Sequence, residues 1–272
     1  MLTHLVPILT EPFFLRAAAA ALILATVGGI MGAYIQMRGM SFYTDTIAHS
    51  SFTGVALGVL LGLDVGVTAV LFAILMGILV LIIRRRTTLA FDTILGVLFA
   101  SVASLGIFLL TFLHNVRIDL LGLLFGDILS LSTLDVWTIA LAGIISLLVL
   151  WSLHEQLILE IVHPDLARVE GVPVARNEVI FGVVVAVMIA LGIKLIGIIL
   201  LSGLFLIPSA TSYLLAKTMR ELLWGSVLVG MLAVIIGLLG SVIIDTATGP
   251  TIVLAASGLF LLTMLVRPLI HD

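Results

Sequence analysis

Nine apolar runs follow one another along this chain, near residues 13–36, 41–63, 65–83, 90–113, 133–153, 177–193, 196–216, 222–244 and 250–267. A helix needs about 20 residues to cross about 30 Å of hydrocarbon, and most of these runs meet that length. In lipid every backbone polar group must be satisfied within the segment, so such runs fold as helices. The alternative of a soluble core fails on composition: 62% of the 272 residues are hydrophobic and only 10% are charged. No soluble domain of this length hides so much apolar surface. The expectation is an all-α, polytopic integral membrane protein with eight to nine transmembrane helices, one membrane domain filling residues 1–272. The first and fifth runs have soft edges, which leaves the count open by one. The segment DLLGLLFGD, Asp119–Asp127, is too short to span and reads as an interfacial or re-entrant helix. The N-terminal stretch lacks a basic region and a small-residue cleavage site, so no removable signal peptide is expected.

Lysine and arginine set the orientation. Arg38, Arg84, Arg85, Arg86, Arg168, Arg176, Lys217, Arg220 and Arg267 fall on one side of the nine-span arrangement. Arg117 and Lys194 fall on the other, and Arg16 sits near the start of the first span. The richer side is read as cytoplasmic, which places the C-terminus inside and the N-terminus outside. There is no cysteine, hence no disulfide framework and no thiolate metal site. Transition-metal chemistry on this chain must use His, Asp, Glu, Met or backbone oxygen.

The second run is the informative one. Its purely apolar part, Gly54 to Leu63, is too short to cross alone, so a span here draws Asp45 and His49 into the membrane or its interface. Four residues is a little over one helical turn, so the carboxylate and the imidazole share a face, and both are sensible ligands for a divalent transition metal. At about 100° per residue, Ser41, Asp45, His49, Phe52 and Ala56 fall near one line facing something wet. Gly54 and Gly58 fall roughly opposite, on a small-residue face made for close helix packing.

Residues 154–178, HEQLILEIVHPDLARVEGVPVARNE, form the one sizeable cytoplasmic loop. Pro164 and Asp165 make a helix start. Leu166, Ala167, Arg168, Val169 and Glu170 continue it, Gly171 stops it, and Pro173 follows. A helix of two turns or fewer is not stable alone, so this one is either a structured connector or a docking element for a soluble subunit. The chain has no GxxxxGK[ST] phosphate loop and no GxSxG elbow, and HEQLI at 154–158 lacks the second histidine of a zinc-protease motif. Nothing resembles an enzyme active site.

Other polar residues in or near the spans have simpler readings beside functional ones. Asp92 reads as a helix-start acid, with a place on a pathway as the alternative. Asp245 and the Thr248-Gly249-Pro250 turn sit at the outer end of the eighth and ninth spans, where a turn suffices and contact with a binding protein is the alternative. Pro208 kinks the seventh span and frees a carbonyl, which suits a gate but is also ordinary membrane architecture. His114 lies at the outer mouth. Glu155, Glu160 and His163 form a patch near the cytoplasmic exit that reads as a solvated helix face. The methionines read as packing.

Four stretches, in this order and spacing, carry a family resemblance: RGMSFYTDTIAHSSFTGVALG, FDTILGVLFA, HPDLARVEGVP, and the pair LIGIILLSGLFLIPSATSYLLA with DTATGPTIVLAASGLF. The chain resembles the permeases of ABC importers for zinc, manganese or iron, the ABC-3 family, over nearly its whole length. The resemblance implies a homodimer of permeases in the cytoplasmic (inner) membrane of a prokaryote, with two cytoplasmic ATP-binding subunits. An extracytoplasmic metal-binding protein would deliver the cation. It implies no stably bound cofactor, a divalent metal as cargo, ATP bound and hydrolysed by the partner subunit, and no role for nucleic acid. It further implies that residues 163–171 form the coupling helix seated in the ATPase, and that Asp45 and His49 coordinate the passing ion. Two ligands from one chain make a poor site. A twofold dimer bringing both second spans to its axis would supply two carboxylates and two imidazoles. Two readings compete: a secondary cation transporter using the Asp/His pair for proton coupling, and a membrane scaffold or receptor that transports nothing.

Overall fold

The computed structural model describes residues 10–112, 125–126 and 131–271. The segment Asp119–Asp127, apart from Phe125 and Gly126, lies outside the described residues, as do His114 and Arg117. All regular structure among the described residues is helical: α1 Pro12–Met37, α2 Ser41–Leu61, α3 Val65–Arg86, α4 Phe91–Leu110, α5 Thr133–Val162, α6 Pro164–Val169, α7 Val174–Ile196, α8 Ile198–Tyr213, α9 Met219–Ile244 and α10 Thr248–His271.

By length and composition, seven of these can cross a membrane: α1, α3, α4, α5, α7, α9 and α10. The other two long helices coincide with expected spans but miss the criterion for different reasons. α2 has 21 residues and dilutes its hydropathy with Ser41, Thr44, Asp45, Thr46, His49, Ser50, Ser51 and Thr53. α8 has only 16 residues.

Boundaries differ from the hydropathy reading where polar residues continue a helix. α5 extends to Val162 rather than stopping near 153, because HEQLILEIV is good helix-forming sequence and Leu157 is fully buried. α7 begins at Val174, and its break from α8 falls on Gly197, whose φ of 89° and ψ of 162° suit glycine alone. Thr248, Gly249 and Pro250 are not a turn but the first turn of α10; the connection from α9 is Asp245 to Ala247. Pro there is tolerated because its missing N–H would have no intrahelical partner.

The helices fall into two compact units. One holds α1, α8, α9 and α10; the other holds α2, α3, α4 and α6, and the divisions fall within α5 after Gly143 and within α7 after Leu191. In the first unit α1 packs on α8 and α9, with α9 and α8 both on α10. Small residues set these distances. A Cβ on Gly29 would lie 2.8 Å from the backbone nitrogen of Val227, and one on Gly32 would collide with the carbonyl oxygen of Phe205. In the second unit α2 is the shared neighbour of α3 and α4.

Candidate functional site

The geometry of α2 divides its residues by face. Thr44, Thr46, Ser50, Ser51 and Thr53 are buried, and each hydroxyl donates to a carbonyl. Thr44 reaches Ser41, Thr46 reaches Phe42, and Ser50 and Ser51 both reach Ile47. Thr46 also approaches the Leu95 carbonyl of α4 at 3.4 Å, and Thr53 donates to the Val102 carbonyl at 2.7 Å. These hydroxyls are satisfied internally, as groups inside a membrane protein must be.

The glycine face packs on α3. A Cβ on Gly54 would lie 2.7 Å from the Thr68 carbonyl and 2.8 Å from the Ala69 Cα, and one on Gly58 would overlap the Thr68 hydroxyl. The opposite line behaves differently. Ser41, Asp45, His49 and Phe52 are all half-buried, a stripe left open along a helix otherwise enclosed over this stretch, Phe42 aside. The expected fifth member, Ala56, is fully buried and closes the stripe.

On the open stripe the two ionisable side chains are differently held. His49 Nδ1 lies 3.0 Å from the Asp45 carbonyl oxygen. A carbonyl oxygen only accepts, so Nδ1 carries a proton, and in the neutral form of the ring the lone pair is on Nε2. The ring stands edge-on to Phe99 of α4 at 4.4 Å between centroids, which limits its rotation. The Asp45 carboxylate has no hydrogen-bond or ion-pair partner among the described residues. At 1.5 Å rise per residue, His49 sits about 12 Å along the helix from Ser41. Among the described residues no group of three or more His, Asp or Glu side chains can hold a metal ion, so this chain offers only the pair here.

The short helix forms as the sequence predicts. α6 begins with Pro164 at N1, carries Asp165 in its first turn and Arg168 in its last, and ends at Gly171 with φ 75°. The Val172 N–H bonds to the Ala167 carbonyl at 2.9 Å and the Gly171 N–H to the Arg168 carbonyl at 3.2 Å, a Schellman termination. Ala167 alone is buried; His163, Glu170 and Gly171 are exposed, and so are the apolar Leu166 and Val169 at 45 and 84%. The Asp165–Arg168 ion pair at 3.4 Å is on the surface and adds little.

Behind α6 lies a polar joint that the sequence alone did not disclose. Asn177 in the first turn of α7 is completely buried, and its Nδ2 donates to Gln156 at 2.8 Å and Glu160 at 2.7 Å on α5. Its neighbour Glu178 accepts from Arg84 at 2.6 Å and Arg85 at 3.2 Å, at the end of α3. Arg84 also lies over the Phe91 ring at 4.3 Å. An Asn-Glu pair just past a loop is a weak signal, since its partners are 17 to 94 residues away. Glu160 is therefore tied into this joint, not left as part of an open patch with His163.

The remaining expected residues occupy helix ends and interiors. Asp92 is exposed in the first turn of α4, and Asp245 caps α9 in a left-handed conformation with φ 57°. Pro208 is buried within α8.

The family model described as the ABC 3 transport family matches residues 10–267. The chain belongs to this family. Within the ABC 3 transport family it is 32% identical over 251 residues to the high-affinity zinc uptake system membrane protein ZnuB of Haemophilus influenzae, covering 92% of this chain and 96% of that one. It is also 32% identical over 269 residues to the manganese import system permease protein ScaB of Streptococcus parasanguinis, covering 98% and 96%. The solved structure of PsaBC from Streptococcus pneumoniae in complex with Fab contains a chain that superimposes with a TM-score of 0.85 at 30% identity, covering 97% of this chain and 95% of that one.

Proposed function

We propose that the chain is the permease subunit of an ATP-driven importer for a divalent transition metal, zinc or manganese above all and ferrous iron as a third cargo. In this reading one permease domain fills the chain and crosses the inner membrane of a prokaryote eight to nine times. Two copies assemble with two cytoplasmic ATP-binding subunits, and an extracytoplasmic metal-binding protein delivers the ion. ATP is bound and hydrolysed by the partner, not by this chain.

The observation that carries the reading is the open stripe of α2. It holds an unpartnered carboxylate and an imidazole whose Nδ1 is tied to a carbonyl, the arrangement in which metal-ligating histidines are oriented with Nε2 free. Asp45 and His49 are assigned as cargo ligands, and two copies supply the four donors that a divalent cation takes. A transported ion must leave as readily as it enters, so the site binds transiently. The segment His163 to Gly171, with α6 at its centre, is assigned as the element that seats in the ATP-binding subunit. Its Leu166 and Val169, three residues apart on one helix and both exposed, are the apolar pair it offers to a groove. Ser41 heads the stripe and is placed on the pathway. Asp92, Pro208, Asp245, Gly249 and Pro250 serve helix ends and packing and are given no transport role.

The test is uptake of zinc, manganese and iron by the permease reconstituted with its ATP-binding subunit, with Asp45→Ala plus His49→Ala alongside. ATP-dependent uptake that drops to background in the double variant supports both the permease and the ligand assignment. Full uptake in the double variant removes the ligands and keeps the permease; uptake without ATP or its subunit favours a secondary transporter and overturns the proposal.

A further inference from the structure

Tyr43 lies two residues before Asp45 and is completely buried. Two residues along a helix is a rotation of about 200°, so its side chain leaves α2 on the side away from the stripe. Its hydroxyl donates to the Gly182 carbonyl of α7 at 3.0 Å. Two glycines make the socket. A Cβ on Gly77 of α3 would lie 2.5 Å from the Tyr43 hydroxyl oxygen, and a Cβ on Gly182 would lie 2.8 Å from it. The rest of the lining at Gly77 is apolar, Ile47 and Ala186. The hydroxyl is completely buried and donates to this one carbonyl.

α7 is also the helix that follows α6. Within the second unit, Asn177 ties its first turn to α5 and Glu178 ties it to the end of α3. The Gly182 carbonyl, one turn further on, ties it to α2. From α6 the chain passes through residues 170–173 directly into α7, and α7 is joined to the Asp45–His49 helix by a hydrogen bond.

We infer that Tyr43 is a positioning residue, whose hydrogen bond to Gly182 makes the Asp45–His49 helix follow movements of α7 that originate at α6. This rests on the permease reading. Phenylalanine is a clean probe, because the Gly182 carbonyl keeps its intrahelical bond and no buried group is orphaned. Its ring also fills the tyrosine's place.

The experiment uses the permease with its ATP-binding subunit in proteoliposomes and measures zinc or manganese taken up per ATP hydrolysed. In Tyr43→Phe we expect ATP hydrolysis close to wild type and the metal-to-ATP ratio to fall about fivefold, the size of one buried hydrogen bond. Tyr43→Phe with Gly77→Ala places a methyl where the hydroxyl stood, refilling the space without restoring the bond. It should stay uncoupled to the same degree, and it carries the same measurement should the single variant fail to assemble. A wild-type ratio in Tyr43→Phe, or recovery of the ratio in the filled double variant, overturns the inference, the latter by reducing Tyr43 to packing. No ATP-dependent uptake by the wild-type protein would instead sink the permease reading itself.

Discussion

α1 and α2 use the same packing device to opposite ends. α1 is closed on both sides. Gly28 and Gly32 meet α8, Gly29 meets the backbone of α9, and its one mid-span hydroxyl, Thr26, donates to the Leu22 carbonyl. α2 spends its small residues on one side, Gly54 and Gly58 on α3, and its hydroxyls on internal carbonyls. That leaves Asp45 and His49 on a face that α4 covers only in part, through Phe99 against the His49 ring, so that both stay half-buried. In a membrane, where apolar contact with lipid is as good as contact with a neighbour, close packing through small residues supplies the attraction between helices. The difference between the two helices is therefore one between a helix whose glycines meet two neighbours and one whose glycines meet a single neighbour while the line of Asp45 and His49 stays half open.

The contrast can be broken by single substitutions read on one scale, thermal unfolding of the purified permease in detergent. Gly32→Ala should cost most, about 3 kcal/mol, because its methyl meets the Phe205 carbonyl and backbone cannot step aside. Gly54→Ala should cost somewhat less, about 2 kcal/mol, since the Thr68 carbonyl, the Ala69 Cα and the Phe72 Cβ share the strain at 2.7 to 2.8 Å. Asp45→Ala should change stability least, within about 0.5 kcal/mol, because the carboxylate has no partner to lose among the described residues. If Asp45→Ala melted as early as Gly32→Ala, the stripe would be structural and the contrast false.

Much of this was legible in the sequence, and for identifiable reasons. A helical period of about 100° per residue suffices to align Ser41, Asp45, His49 and Phe52 and to set the glycines opposite, because both faces belong to one helix. The ends of α6 were legible too, since Pro164 and Gly171 act through local backbone geometry. What failed was non-local. Ala56 lies on the same line as Asp45 yet is enclosed, because tertiary neighbours, not period, decide burial. Tyr43 reads as one aromatic in a polar stretch until Gly182, 139 positions later, is brought to its hydroxyl. Asn177 and Glu178 look like loop polarity until α5 and α3 arrive. Hydropathy also ended α5 early, because it weighs polarity and is blind to helix continuation past the lipid.

The tether on His49 has a consequence for chemical competition. With Nδ1 committed to a carbonyl one turn away, the ring presents a single electron pair to its surroundings, and that pair can take one electrophile at a time. A proton and a metal ion are thus rivals for the same atom, not neighbours on opposite edges of the ring. Were the proposed cation to bind at Nε2, it would displace a proton held there, and a returning proton could take its place as it left.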